Sequence, residues 1–316
     1  LLNVIKIFKF ASIYYIKIII TLQFLLNLCF LSFSNLNYFE DNEFSKQKIE
    51  DIDVDILLPI QNKIKGMVEL VPNEQRFLHG LIRKYKPKKI LEIGVSAGGS
   101  SILILNAIKD LKDTKLYSID RYIKWYRNPS KQVGWFIKEN FPELMDKWTF
   151  YRGKTSAEYI ESVGNNIDFV FIDTFHFTPG EMLNWLDILP FIKEGAIVVF
   201  HDAFLMFEGN YKLKPVKNFS NNQLLCYIRG KLILPTYGDE IFSRNIGAIK
   251  LAKNQKRYIE QYFVALGNQW QYFPEEIDIP ILRAHYKKYY GEKYAIIFDD
   301  AVNKNRHRLM ENVPKI

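Results

Sequence analysis

Four side chains in two short groups could carry chemistry in this chain: Asp173 and His176, spaced Asp-x-x-His, and the adjacent His201 and Asp202. Each group follows an apolar run, residues 167–172 in one case and Ala196-Ile197-Val198-Val199-Phe200 in the other. Such runs read as buried strands, with the polar group at the carboxyl end. If the two strands are parallel neighbours, their ends face one crevice, the usual ligand site of an α/β sheet. Carboxylates there can hold a hard divalent cation such as Mg²⁺ through oxygen. The cation could grip two oxygens of a diol-like molecule and lower the pKa of one hydroxyl. His176, a group that titrates near neutrality, stands where it could take that proton.

A second group lies upstream. Lys89-Ile90-Leu91-Glu92-Ile93 reads as a strand, and Gly94, Gly98 and Gly99 then let the backbone turn and approach a ligand closely. Ser100 and Ser101 open the helical run that continues through Ile102-Leu103-Ile104-Leu105. Three sites share this outline. A dinucleotide fingerprint wants a glycine where Ser96 stands. A nucleophile elbow fits Gly94-Val95-Ser96-Ala97-Gly98, but it needs an oxyanion loop from an earlier strand, and residues 44–88 look mainly helical. The third match is the best: Glu92-Ile93-Gly94-x-x-x-Gly98 resembles the first motif of class I methyltransferases that use S-adenosylmethionine (SAM).

That resemblance implies a set of cofactor contacts. In the family the acidic residue and the loop amides hold the methionine end, which points to Glu92, Gly94, Ser96, Gly98 and Ser100. Asp120 closes the next strand, Lys115-Leu116-Tyr117-Ser118-Ile119, and lies 26 positions past Gly94. In Rossmann-like folds an acidic residue there accepts hydrogen bonds from the ribose hydroxyls; Arg121 adjoins it. Gly153 follows the strand Trp148-Thr149-Phe150-Tyr151, where family members present backbone to the adenine. Asp173 would border both cofactor and acceptor.

The strand-end groups narrow the resemblance. They are similar to those of the metal-dependent sugar O-methyltransferases of macrolide biosynthesis and of the cephalosporin hydroxylase-like group. By that match Asp173 and Asp202 are metal ligands and His176 is the base. The departure is His201, where those relatives carry an acidic residue; as a further ligand it suits softer metals than Mg²⁺. The resemblance spans roughly residues 65–255.

The elements that must position these residues follow from periodicity. Val71-Pro72-Asn73-Glu74-Gln75 turns into a helix with Phe77, Leu78, Leu81 and Ile82 at helical spacing and His79 packed or exposed on it. Helices are expected over 100–111 and 131–141. Thr178-Pro179-Gly180-Glu181 reads as a capping box with proline at the first helical position, ahead of Leu183, Leu186 and Leu189. Residues 211–215 read as a loop, 223–229 as a helix, and 231–235 and 245–251 as a closing antiparallel pair. Helices over 253–265 and 280–310 end the chain, with His285 and His307 on a polar surface. The expected fold is α/β: a Rossmann-like, seven-stranded, mostly parallel sheet with an antiparallel edge strand and helices on both faces.

Residues 1–38 differ from the rest, since Ile18 to Tyr38 carries no charge, a length that can span a bilayer. They read as a non-native or dispensable extension, a membrane anchor or a buried helix, in that order, followed by a methyltransferase domain over 44–255 and a helical extension over 256–316. A cofactor made in the cytoplasm sets the expected location there, with membrane association only through residues 1–38. The 316 residues are 48% hydrophobic, ample for a core, and the formal charge of +8 is spread among acidic residues. Cys29 and Cys226 form no C-x-x-C pair. No nucleic-acid-binding module appears, nor do the motifs of amino- or cytosine-methylating enzymes. The expected reaction is methyl transfer from SAM to a hydroxyl of a small, sugar-like or otherwise hydroxylated acceptor, with Mg²⁺ or another divalent cation as a candidate cofactor. The rivals are a serine hydrolase through Ser96 and a SAM-binding protein without turnover. The C-terminal helices are expected either to cover the sheet or to form a contact between copies of the chain.

Overall fold

Short apolar runs in this chain alternate with amphipathic ones, and the parallel sheet follows from that alternation. The computed structural model describes residues 48–174, 176–203, 224, 227–236 and 245–312. The expected features at 1–38, Cys29, Cys226, the loop at 211–215 and most of 223–229 lie outside these residues. Among the described residues no helix is long and apolar enough to cross a membrane.

Two helices, α1 (Val54–Gln61) and α2 (Pro72–Tyr85), lead into β1 (Lys89–Ile93). Next come α3 (Gly99–Ile108), β2 (Lys115–Asp120), and a small hairpin of β3 (Lys124–Trp125) and β4 (Asn128–Gln132). Then α4 (Trp135–Asn140), β5 (Trp148–Arg152), α5 (Ser156–Val163), β6 (Ile167–Ile172), α6 (Gly180–Ile188) and β7 (Ile192–His201) follow. The chain closes with β8 (Gly230–Ile233), β9 (Ile246–Leu251), α7 (Ile259–Ala265), α8 (Asp278–Tyr290) and α9 (Glu292–Asn312).

Seven strands form one sheet in the order β5-β2-β1-β6-β7-β9-β8. Five run parallel; β9 enters antiparallel to β7, and β8 pairs antiparallel with β9 at the edge. The chain runs outward from β1 to β2 and β5 and then returns to β6 on the other side of β1. That reversal leaves a crevice beyond the carboxyl ends of β1 and β6, where α/β sheets bind ligands. The register pairs Ile93 with Ile172 and Ile172 with Phe200. The next residues, Gly94, Asp173 and His201, therefore stand side by side along the rim.

Side chains alternate between the faces, as a strand requires. Leu91, Ile93, Val170 and Ile172 enter one buried cluster, and Ile90, Phe169 and Phe171 the other. The C-terminal helices are part of the first cluster: Tyr262, Phe263, Leu282, Tyr286 and Phe298 pack there with Trp185 and Leu186. Of the two roles expected for the helical extension, covering the sheet is thus the one this packing displays.

Three local expectations are corrected. The helix expected over 131–141 is shorter, Trp135–Asn140, because Asn128–Gln132 folds back as β4 on β3. The capping box at Thr178 does not form: Thr178 Oγ1 donates to the Gln269 carbonyl at 2.9 Å, and Glu181 turns toward His176. His285 is buried, with Nε2 2.9 Å from the Asp187 carbonyl. Burial opposes its charged form and pushes it down to about 4. His307 is exposed as expected, and His79 is packed against the Asp53 carbonyl at 3.0 Å.

Candidate active site

The glycine loop is held from below and from the side. Glu92 is fully buried in β1 and accepts hydrogen bonds from Ser100 Oγ (2.7 Å), Ser101 Oγ (2.5 Å) and Ser118 Oγ (2.6 Å). Burial raises its carboxyl, the three hydroxyls lower it, and the result is about 7. The Glu92 and Ser100 side chains are thus spent on each other, and any part they play toward a cofactor passes through the loop they support. Gly94 and Gly98 sit at φ +91° and +106°. A Cβ on Gly94 would lie 1.8 Å from the Asp173 carbonyl oxygen, and one on Gly98 2.7 Å from Ile137 Cγ1. Only glycine fits both positions.

Asp120, at the end of β2, closes the loop from the side. Its Oδ2 accepts from the backbone N–H of Val95 (2.9 Å) and Ser96 (3.3 Å), and its Oδ1 from that of Tyr122 (2.8 Å). Burial raises this carboxyl and the three amides pull it back. Gly153 donates its N–H to the Asp120 carbonyl at 2.9 Å, so the ends of β2 and β5 adjoin. Arg121 turns away from the loop and pairs with Glu275 (2.9 Å) and Asp278 (3.1 Å), tying the end of β2 to the chain around α8. Ser96 Oγ accepts from Trp125 Nε1 at 3.1 Å, with no histidine beside it among the described residues. A serine nucleophile needs a base within reach, so Ser96 lacks the setting of a hydrolase.

The strand-end residues come together as expected, with two carboxylates that sequence reasoning missed. His176 Nε2 lies 2.6 Å from Asp202 Oδ2 and 3.7 Å from Asp173 Oδ1. Its Nδ1 lies 2.9 Å from Glu181 Oε1, a carboxylate of α6 with no solvent exposure. His201 Nδ1 lies 3.2 Å from Asp173 Oδ1 and 3.7 Å from Asp202 Oδ2, and its Nε2 lies 3.3 Å from Glu74 Oε2 of α2. Glu74 also accepts from the N–H of Val71 (2.9 Å) and Asn245 (3.1 Å), and the Asn245 side chain donates to Asp202. Asp202 adopts φ +53°, the left-handed turn that brings its carboxylate back over the strand end.

The electrostatics are those of alternating acids and imidazoles. Burial disfavours the His176 cation, but hydrogen bonds to Asp202 and Glu181 outweigh it and push His176 up to about 10. For His201 burial is likewise outweighed, here by the Asp173 carboxylate, and the ring is held well above its usual range. Asp173 is raised by burial and lowered by His201 and His176, ending below its ordinary value.

Glu74 and Glu181 left faint signals. Glu181 sat in a pattern that reads as a helix cap, and Glu74 in the first turn of a helix, where acids are common anyway. Nothing in the sequence placed the C-terminal chain here either. The Thr178 carbonyl, two residues beyond His176, accepts from the N–H of Gln271 (2.8 Å) and Tyr272 (3.3 Å).

Residues 91–203 match the family model described as a methyltransferase domain. That span holds the glycine loop, Asp120, Asp173, His176 and His201-Asp202. No curated protein matches the chain. Among solved structures, the SAM-bound O-methyltransferase TomG of Streptomyces achromogenes is 19% identical with a TM-score of 0.43, over 70% of this chain and 95% of its own. A caffeoyl-CoA O-methyltransferase described from Staphylococcus aureus is 18% identical with a TM-score of 0.46, over 62% and 91%. The cofactor-bound Rv0187 from MTB is 16% identical with a TM-score of 0.45, over 64% and 98%.

Proposed function

We propose that this chain, which carries a SAM-dependent methyltransferase domain on a Rossmann-like fold, delivers the methyl group to a hydroxyl of a small, sugar-like or otherwise hydroxylated acceptor. The observation that supports this reading is the meeting of Asp173, His176, His201 and Asp202 against Gly94, so that acid–base groups border the loop. The glycine loop and the Asp120 carboxylate that accepts its Val95 and Ser96 N–H groups would hold the cofactor, with Gly153 backbone beside its base. Transfer from sulfonium to oxygen then needs an aligned acceptor and a place for its proton.

His176 is the group for that proton. Glu181 fixes the ring through Nδ1 and leaves Nε2 facing Asp202. An acceptor hydroxyl that donates to Asp202 competes with His176 for that carboxylate. Losing this partner removes the first of the hydrogen bonds that hold the imidazole charged, so its pKa falls, the Nε2 proton passes to solvent, and the neutral ring can then take the acceptor's proton.

The residues also fit a divalent cation. One ligand atom each of Asp173, His201 and Asp202 lie within 4.8 Å of one another. His201 directs Nδ1 to this group and Nε2 to Glu74, the arrangement in which a carboxylate orients a metal-ligating imidazole, and a cation bound there would have to displace the Nδ1 proton that Asp173 stabilises. A bound cation would polarise the acceptor hydroxyl and lower its pKa.

Incubation with methyl-labelled SAM and two acceptor panels, one of sugars, diols and phenols and one of amines, tests the reading. Label on oxygen is expected. Label on amines alone would overturn the hydroxyl assignment.

A further inference from the structure

The opposite end of the sheet carries a second concave surface that methyl transfer does not use. A cavity of about 750 Å³ opens at the amino ends of the parallel strands. Its lining places a lysine at the start of nearly every strand: Lys147 before β5, Lys115 on β2, Lys88 and Lys89 at β1, and Lys193 on β7. At the amino end of β6, between them, stand Asn165 and Asn166. Five lysines thus face two aspartates, Asp113 and Asp168. The Asp168 carboxylate is already used, accepting the backbone N–H of Lys88 at 3.1 Å and Lys89 at 2.9 Å.

Part of this charge serves the fold. Carboxyl ends of helices collect at this end of an α/β sheet, and lysines satisfy their carbonyls. Lys89 Nζ donates to the Val163 and Asn165 carbonyls at 3.0 and 2.9 Å, and Lys147 Nζ to the Leu111 carbonyl at 2.5 Å. That account does not extend to Lys88, Lys115 and Lys193, whose ammonium groups have no partner among the described residues. All three are exposed and border the same cavity. The strands they adjoin stand in the order β2-β1-β6-β7, about 4.8 Å apart, so the three lysines lie in a row along the amino edge with a gap at β6, where Asn165 and Asn166 stand. A row of point charges, each with three donors, matches a chain of phosphate groups better than a single compact anion. The volume falls in the range of small-molecule sites, and the half-buried Tyr117 ring lines one side.

We propose that this cavity is a binding site for an oligophosphate, either inorganic or the phosphate chain of a nucleoside triphosphate, with Lys88, Lys115 and Lys193 as its contacts. The proposal does not depend on the acceptor assigned above, because the site lies at the other end of the strands.

Titration calorimetry of the full chain at low salt, with inorganic tripolyphosphate and separately with ATP, tests it. Saturable binding of tripolyphosphate is expected, unaffected by saturating SAM and weakened by added salt as screening requires. The K88Q/K115Q/K193Q variant should bind at least about tenfold more weakly while its SAM affinity stays that of the parent. Tighter binding of ATP than of tripolyphosphate would identify a nucleotide; equal binding would identify the phosphate chain alone. As a check that needs no variant, tripolyphosphate should protect these three lysines from an amine-acylating reagent, read by mass spectrometry. Three results would each overturn the proposal: no saturable binding, undiminished binding by the folded variant, or displacement of tripolyphosphate by SAM.

Discussion

Gly94 and Asp173 meet backbone to backbone, so closely that a Cβ on Gly94 would lie 1.8 Å from the Asp173 carbonyl oxygen. The ends of β1 and β6 can adjoin in this way only with glycine at φ +91°. Gly94→Ala must therefore move the loop or the strand end. The expected cost is about 1–3 kcal/mol for overpacking, plus strain at positive φ. Thermal unfolding with and without SAM should show a lower Tm and a smaller ligand-induced rise. A variant that melts like the parent would mean that the two strand ends do not touch.

Asp120 joins the loop to β2 through three backbone N–H groups. Removing it should loosen the loop as well as delete a ribose acceptor. Asp120→Ala is expected to weaken SAM binding by roughly 1.5–3 kcal/mol, the worth of charge-assisted hydrogen bonds. Calorimetry that finds unchanged affinity would take Asp120 out of the cofactor site.

What the sequence disclosed here divides by how local the signal is. Ile90-Leu91-Glu92-Ile93 and residues 167–172 announce buried strands, and glycines at positions 94, 98 and 99 announce a loop. From these the sheet, and the approach of Asp173 to Gly94, could be read. Glu74 and Glu181 could not, because each is an ordinary first-turn acid until the fold brings it 3.3 Å from His201 or 2.9 Å from His176. His285 misled for a related reason. Its neighbours on the chain are lysines and tyrosines, but the partners that bury it, the Asp187 carbonyl and the Phe191 ring, come from α6 and the turn after it.

Glu92 gives a pH signature. Its carboxyl stands at about 7 in the fold against an ordinary value of 4.5. A raised folded pKa means that its stabilising contribution is complete below 4.5 and is lost as pH rises through 7. Glu92→Gln cannot ionise. The stability of the variant relative to the parent should climb across that window, by on the order of 3 kcal/mol, on top of a constant offset from altered hydrogen bonds to the serines. Urea unfolding of both proteins at several pH values measures the difference. Parallel curves would show that Glu92 does not carry a raised pKa.

The sharpest prediction concerns His176, held 2.6 Å from Asp202 and 2.9 Å from Glu181. With its pKa at about 10, the ring is largely charged at neutral pH. The neutral, proton-accepting form grows as pH rises toward that value. Methyl transfer by the parent should therefore rise with pH, less steeply where the acceptor has displaced His176 from Asp202. Asp202→Asn and Glu181→Gln each remove a carboxylate that supports the cation, so the rise should move to lower pH in both. Their effects on turnover should differ. Asp202→Asn also removes a cation ligand and should abolish any stimulation by divalent metal, whereas Glu181→Gln leaves the ligand set intact. His176→Ala should lower turnover by roughly 10²–10⁴-fold, the usual worth of a positioned base. That loss should shrink at high pH, where hydroxide can replace the imidazole. SAM affinity should stay near the parent's in all three variants, since none of these side chains belongs to the loop. His201→Asp adds a hard oxygen ligand and should strengthen Mg²⁺ dependence. Initial rates against pH, with added metal and after dialysis against EDTA, separate these effects. An unchanged rate in His176→Ala would sink the base assignment, while full activity in EDTA would discard the cation and leave His176 in place.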